Sequence, residues 1–407
     1  MVPVRYRSRR KGDPLQTIFT TLVYTIFAAA MNVAMNAETT ITITVTMSVS
    51  GRLAGMEYTM LLPCAGHSPA GKRPKWLLTT PEGELMVRRA AAALPPERVT
   101  RAVVAMCAED DVRYSAAEAI RRAFAATPGL SVDIVILDHP TQGPAQTVQL
   151  MMDRAGVRGP IAIKDGDSLF DPLPAPRESF VAVCDLRRNP GVAGISGKSF
   201  IRLNEHGFVA DIVEKEVCSS LISAGLYGFS DTAVFRQAYH ALHNVQATPG
   251  LFVSHVIEQA ICAGEMVAAL PVEAFLDLDS EALWRDHCRR RGTLVIDIDG
   301  VVVKNQSRFF PPYWETPEQP IGANVACLRD LQAAGTQLVF MTARPETYRT
   351  KTHAMLTGLG LHAHALIMDC HHGQRCLVND FAPSNPYPSA VAVNLERNAP
   401  SLAQLVA

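Results

Sequence analysis

The feature that most constrains this chain is a hydrophobic period that keeps switching between residues 58 and 184. Apolar runs at Tyr58–Leu62, Ala102–Cys107, Val132–Leu137, Ile161–Lys164 and Phe180–Cys184 alternate with helical spacing at Glu84–Leu94, Ser115–Ala126 and Ala145–Arg154. Runs that are apolar on both faces suit strands covered by two layers, and helices between them suit parallel crossovers. The spacing predicts an α/β fold with a mostly parallel sheet in three layers. Beyond Cys184 the pattern becomes more β-like, with turns at Asn189-Pro190 and Asn204-Glu-His-Gly207, before helices return at Thr232–His243 and Val253–Ala263. A basic stretch from Arg285 to Arg291 then precedes the very apolar strand Thr293–Ile296, which opens a second α/β unit.

A length of 407 residues is too great for one ordinary domain. The expected division is an extension over 1–55, a first domain over 56–288 and a second over 289–407. Hydrophobic residues at 48% against 19% charged exclude a disordered chain. A net charge of -1 leaves no basic field to recruit nucleic acid. Nine cysteines with no CxxC pair read as reduced thiols, so the expected location is cytoplasmic. Residues 1–55 differ from the rest. Arg5, Arg7, Arg9, Arg10 and Lys11 precede an uncharged stretch whose threonines and asparagines leave it thin for a spanning helix. That segment reads as an appendage or overlong start, with a membrane anchor as the alternative; membrane contact is expected only in the second case.

The first candidate site follows Tyr58–Leu62. Pro63-Cys64-Ala65-Gly66 is a small-residue turn at a strand end, and Lys72, Arg73 and Lys75 follow it. Backbone N–H groups in such a turn cradle phosphate oxygens, and the cations supply charge. It is not a Walker loop, because Arg73 stands where Ser or Thr is required; a solvated loop is the bland alternative. Further along come Thr141-Gln142-Gly143-Pro144, Lys164-Asp165-Gly166-Asp167, Glu214-Lys215, Ser223-Ala-Gly225-Leu-Tyr227 and Phe275-Leu-Asp277-Leu-Asp279. In this order, from residue 58 to about 285, these segments resemble the sugar-phosphate nucleotidyltransferases. The resemblance implies a Rossmann-like mixed sheet. It places Ala65, Gly66, Lys72 and Arg73 on the triphosphate of an NTP, with Gln142 and Gly143 at its base. It also implies Mg²⁺ held by Asp167 and Asp277, a phosphate contact from Lys75, and an acceptor at Glu214, Lys215 and Gly225. Ser68, Pro69 and Ala70 stand where the family usually has a second Gly and an Arg.

The second candidate site is sharper. Leu294-Val-Ile-Asp297-Ile-Asp299-Gly300 sets two carboxylates on one side of the turn after an apolar strand. Val339-Phe-Met-Thr342-Ala-Arg344 and Leu377-Val-Asn379-Asp380 are expected to be further strands ending in Thr and in an acid. Together they resemble haloacid dehalogenase-like phosphatases of the capsule and polysaccharide type. The resemblance implies that Asp297 is a nucleophile forming an aspartyl-phosphate, that Asp299 is its acid/base, and that Thr342 binds the phosphoryl group. Mg²⁺ would then be held by Asp297, Asp299 and Asp380, one of them through its main-chain carbonyl. The family's lysine has no clear counterpart; Lys351 and Arg375 are the candidates. Cys370-His371-His372 with Cys376 matches no standard zinc spacing, and Cys376 is expected to begin the strand to Asp380, pointing into the sheet. Only a short flap fits between Asp299 and Thr342, with Phe309, Phe310, Pro311, Pro312, Tyr313 and Trp314 either covering a phosphorylated molecule or packing on the neighbouring domain. The tail from Phe381 to Pro388 and on through Asn394 and Arg397-Asn398 resembles the end of the same phosphatases.

Taken together, the two resemblances imply a bifunctional enzyme of nucleotide-sugar precursor synthesis. Its partners would be an NTP and a phosphorylated sugar, with no nucleic acid; association with its own copies stays open. Two alternatives remain: an active phosphatase joined to a degenerate nucleotide-binding module, or a cytidylyltransferase acting on a non-sugar phosphate such as phosphocholine.

Overall fold

The computed structural model describes residues 56–66, 73–174, 176–245, 250–306, 314, 317–380 and 390–406. The expectations for residues 1–55, Lys72, Phe309 to Tyr313 and Phe381 to Pro388 lie outside the described residues. In chain order the strands of the first part are β1 (Tyr58–Pro63), β2 (Val99–Cys107), β3 (Ser131–Leu137), β4 (Ile161–Lys164), β5 (Ser168–Leu169), β6 (Ser179–Asp185), β7 (Ser199–Leu203), β8 (Val209–Glu214), β9 (Leu221–Phe229), β10 (Val267–Val272) and β11 (Leu276–Asp277). Nine of them form one mixed sheet in the order β10-β6-β9-β4-β1-β2-β3, with β7 pairing to β9 and β8 to β7. The run β3-β2-β1-β4 is parallel, whereas β9 is antiparallel to both β4 and β6.

Alternation along β1 builds the three layers. Leu61 faces the helices Pro144–Arg154 and Val253–Cys262 through a core that includes Val148, Met151 and Ile257. Tyr58, Met60 and Leu62 face the other way, into a core with Val87, Ile120 and Phe124 from Met86–Ala90 and Ala116–Ala125. Burying each such side chain contributes about 1.5–3 kcal/mol, so a one-residue slip of β1 would exchange both cores at once. The helix expected over Glu84–Leu94 is shorter than the spacing suggests: an α-helix covers Met86–Ala90 and a 3-10 turn covers Ala91–Ala93. Pro95 accounts for the stop, since the residue before proline is driven extended and Leu94 is extended.

The second sheet is parallel, in the order β12 (Thr293–Asp297), β13 (Gln337–Met341), β14 (Ala365–Ile367). Ile296, Leu338 and Phe340 pack against Leu328 and Leu356 of the helices Gly322–Ala333 and Arg349–Gly358. On the opposite face Val295 and Ile367 are exposed. The strand expected at Leu377–Asn379 does not form, and β14 supplies the third strand instead. Leu377 and Val378 are 65% and 88% exposed, and Cys376 is exposed rather than turned into a sheet. Cys376, Leu377 and Val378 stay exposed and bury too little to offset the ordering of a strand, whereas Leu366 packs against the core and Met368 is buried. The helix Glu281–Arg290 links the two sheets. Its Trp284 Nε1 donates to the Thr79 carbonyl at 2.7 Å, and Thr336 Oγ1 donates to the Arg290 carbonyl at 2.6 Å. Among the described residues no helix is long and apolar enough to cross a membrane.

Candidate active site

A cleft of about 1870 Å³ opens at the carboxyl ends of β1 and β4. This is where the chain, having placed β2 on one side of β1, places β4 on the other, the position at which open α/β sheets take ligands. The turn after β1 forms one wall. Ala65 is fully buried, and its carbonyl accepts the Thr141 N–H at 3.3 Å, fastening the segment that carries Gln142 and Gly143. Gly143 cannot be replaced here without movement, because an added Cβ would lie 2.7 Å from the Leu251 carbonyl. Gly66, Arg73, Gln142 and Gly143 all line the cleft.

Lys75 enters from the 3-10 turn Lys75–Leu77, which the buried Trp76 and Leu77 anchor. Its Nζ lies 2.6 Å from Asp167 Oδ2 and donates to the Asp279 carbonyl at 2.6 Å. The floor is made by β5 and β11, whose antiparallel pairing sets Asp277 opposite Ser168. The Leu278 N–H donates to the Asp167 carbonyl at 2.9 Å. This short ladder brings two carboxylates distant in sequence, Asp167 and Asp277, to one place.

The charges there are balanced in pairs. Burial works to raise the Asp167 carboxyl, but Lys75 foremost, together with Lys164 and Lys198, outweighs it and holds the group below its ordinary value. Asp277 is held above its ordinary value, by burial first; Lys198 opposes this, while Asp279 and Asp167 add to it. Lys198 Nζ lies 2.5 Å from Asp277 and 3.1 Å from Asp279. Beneath them Lys164 is fully buried, with Nζ donating to the carbonyls of Asp165 and Ser168 at 2.8 and 2.6 Å. Burial pulls this ammonium down to about 8 and pushes its neighbour Asp165 up to about 6, against the pull of Lys164.

Farther along the cleft Glu214 Oε2 accepts from Ser199 Oγ at 2.6 Å and Ser254 Oγ at 2.5 Å. Gly225 has φ +73°, and a Cβ there would meet Asp165 Oδ2 at 2.5 Å. Lys215 does not join them. Its Nζ sits 4.4 Å above the Phe252 ring, and its backbone is left-handed at φ 59°.

The second candidate site lies at the ends of β12 and β13. Asp297 Oδ1 accepts the Ile298 N–H at 3.0 Å and lies 3.4 Å from the Arg375 guanidinium. Burial raises its carboxyl, with Arg375 opposing. Both oxygens of Asp299 are taken by Arg344, at 2.8 and 2.9 Å, in a two-point fork. Thr342 is buried and its Oγ1 accepts the Arg344 N–H at 3.1 Å. Of the two candidate cations, Arg375 approaches Asp297, while Lys351 donates to the Trp314 carbonyl at 2.5 Å and lies 3.9 Å from Glu318. Asp380 stands in the exposed segment that forms no strand.

Three participants were not among the residues selected from sequence: Lys198, Lys164 and Arg344. Lys198 stands alone before an alternating strand and carries no motif signal. Lys164 and Arg344 lie inside quoted motifs, but only burial marks them out.

No family model matches the chain, and no curated protein does. Among solved structures, the chain is similar to a nucleoside-diphosphate-sugar pyrophosphorylase from Vibrio cholerae, at 20% identity and a TM-score of 0.47, over 57% of this chain and 100% of that one. It is similar to an inositol-1-phosphate CTP transferase from T. maritima at 16% identity and a TM-score of 0.43, over 56% of this chain and 91% of that one. A UDP-glucose pyrophosphorylase complexed with UDP-glucose is similar at 15% identity and a TM-score of 0.43, over 57% of this chain and 97% of that one.

Proposed function

We propose that the large cleft transfers a nucleotidyl group from an NTP to a phosphorylated small molecule, with a sugar 1-phosphate as the favoured acceptor. The observation that carries this is the pairing of two carboxylates with two ammonium groups, Lys75 with Asp167 and Lys198 with Asp277, in one cleft beside a small-residue turn. Such a site matches two phosphate-bearing substrates and a divalent ion better than it matches a neutral ligand.

Asp167 and Asp277 are hard oxygen donors of the kind Mg²⁺ takes, and two carboxylates are a usual protein share of its shell. Among the described residues no group of three or more His, Cys, Asp or Glu converges. Bound there, the ion would neutralise phosphate charge as it builds in the transition state. In this reading Lys75 holds the triphosphate, the turn at Ala65 and Gly66 presents backbone N–H groups to it, and Gln142 and Gly143 hold the base. Glu214, steadied by two serine hydroxyls, offers its remaining lone pairs to hydroxyls of the acceptor. No general base is needed, because the attacking phosphate oxygen is already an anion.

The second site supports a separate reading as a phosphatase. Asp297 stands at a strand end with Arg375 beside it and Thr342 at the end of the adjoining strand. In this reading Asp297 attacks the phosphoryl group and the bifunctional enzyme serves surface-carbohydrate synthesis in the cytoplasm. The test is pyrophosphate release with Mg²⁺ across CTP, UTP, GTP, ATP and dTTP, against a panel of sugar 1-phosphates and phosphocholine. Lys75→Ala is expected to remove pyrophosphate release and spare phosphate release from sugar phosphates, and Asp297→Asn to do the reverse. Equal loss of both from either change contradicts two sites. Silence from wild type across the whole panel contradicts the transferase.

A further inference from the structure

Two lysines compete to be the second phosphate-binding cation of the cleft, and sequence pattern alone favours Lys215. Lys215 follows Glu214 directly, but its ammonium lies 4.4 Å above the Phe252 ring. The residue is exposed and lies outside the cleft lining. Lys198 lines the cleft with its side chain only 14% exposed. It reaches Asp277 and Asp279 on one side, at 2.5 and 3.1 Å. On the other side the next residue, Ser199, donates to Glu214. The Lys215 N–H donates to the Lys198 carbonyl at 3.0 Å, so the two residues stand opposite each other at the end of the β7–β8 hairpin; the left-handed backbone of Lys215, at φ 59°, is what parts their side chains.

Resting on the transferase reading above, we infer that Lys198, not Lys215, binds the acceptor phosphate. Its position joins the carboxylate pair to Glu214, so a phosphate held there has its own group at Glu214 and its oxygens toward the triphosphate. In the transfer an acceptor phosphate oxygen forms a bond to the α-phosphorus as the bond from that phosphorus to the bridging oxygen breaks. Pyrophosphate leaves with the electron pair, and no proton moves. Lys198 lowers the repulsion between the two anions that must meet, and Asp277 and Asp279 hold its ammonium in place while it does so.

Full-length Lys198→Met, Lys198→Arg and Lys215→Met are compared with wild type in two assays. One is calorimetric binding of inorganic phosphate; the other is pyrophosphate release with the pair of substrates the wild type accepts. Lys198→Met is expected to weaken phosphate binding and raise the acceptor KM by about tenfold, the scale of one charge-assisted hydrogen bond. The KM for NTP should change much less, Lys198→Arg should recover most of the loss, and Lys215→Met should behave as wild type. A larger effect from Lys215→Met, or an unchanged Lys198→Met, overturns the assignment while leaving the transferase standing. Wild type that neither binds phosphate nor releases pyrophosphate overturns both. A footprint on wild type covers a variant that fails to fold: inorganic phosphate should slow acetylation of Lys198 and not of Lys215, and equal labelling of Lys198 with and without phosphate refutes the role.

Discussion

Replacing Arg344 by Met tests whether the second site is built on a locked ion pair. Arg344 is 2% exposed, and Asp299 and Glu318, which it engages, are 14% and 17% exposed in their side chains. The guanidinium meets Asp299 at two points, and it reaches Glu318 at 3.4 Å and Thr352 Oγ1 at 3.3 Å. Removing one partner of a buried pair costs about 3–5 kcal/mol, mostly because the other charge stays buried without compensation. Both carboxylates retain some access to water, so the lower end, about 3 kcal/mol, is expected here. Asp299→Asn removes the charge that would be stranded. In the Arg344→Met/Asp299→Asn double variant the loss should therefore fall to about 1 kcal/mol, about 2 kcal/mol less than for Arg344→Met alone, and the coupling exceeds that by whatever Asp299→Asn costs on its own. Two sheets make a single global melt a poor measure. The assay is hydrogen exchange of the β12 and β13 amides under increasing urea. A loss below about 1 kcal/mol for Arg344→Met, or additive single changes, refutes the reasoning, since both mean that water already solvates these carboxylates.

Gly225→Ala is expected to cost about 2–5 kcal/mol in urea unfolding, from about 1–2 for a left-handed non-glycine residue and about 1–3 for overpacking, because its Cβ would press on Asp165 and Ser168. A loss under half a kcal/mol would mean that the β9 backbone yields easily. Asp165 gives a pH test. The unfolded chain releases this proton near 3.8 and the folded one holds it to about 6, so between those values the folded state binds more protons. This group's contribution therefore falls as pH rises through that window, by up to ~1.4 kcal/mol per unit. Asp165→Asn should gain stability relative to wild type from pH 4 to 6.5, and a constant difference between the two proteins would count against the buried carboxyl.

The strands β1, β2, β4 and β6 were legible because each is an apolar run largely buried on both sides, and such runs announce themselves locally; β3 was legible as an apolar run too, although as the edge strand it leaves Ile136 exposed. The motifs Pro63–Gly66, Thr141–Gly143 and Leu294–Gly300 were legible for a related reason: close backbone approach and strand-end carboxylates need particular residue types in fixed order. What sequence could not supply depends on partners far away in the chain. Leu377-Val-Asn379 looks like a strand until Ala365–Ile367 is seen in the third place beside β13. Asp167 and Asp277 meet only because a two-residue ladder joins β5 to β11. Lys198 and Lys215 are alike as letters and stand opposite each other at the end of the β7–β8 hairpin, yet one reaches Asp277 and the other, on a left-handed backbone, reaches Phe252. Local pattern thus determined the layers and marked the candidate motifs, since burial and turn geometry act over a few residues. Tertiary structure decided which charges face each other, since Coulomb attraction and burial act through space without regard to distance along the chain.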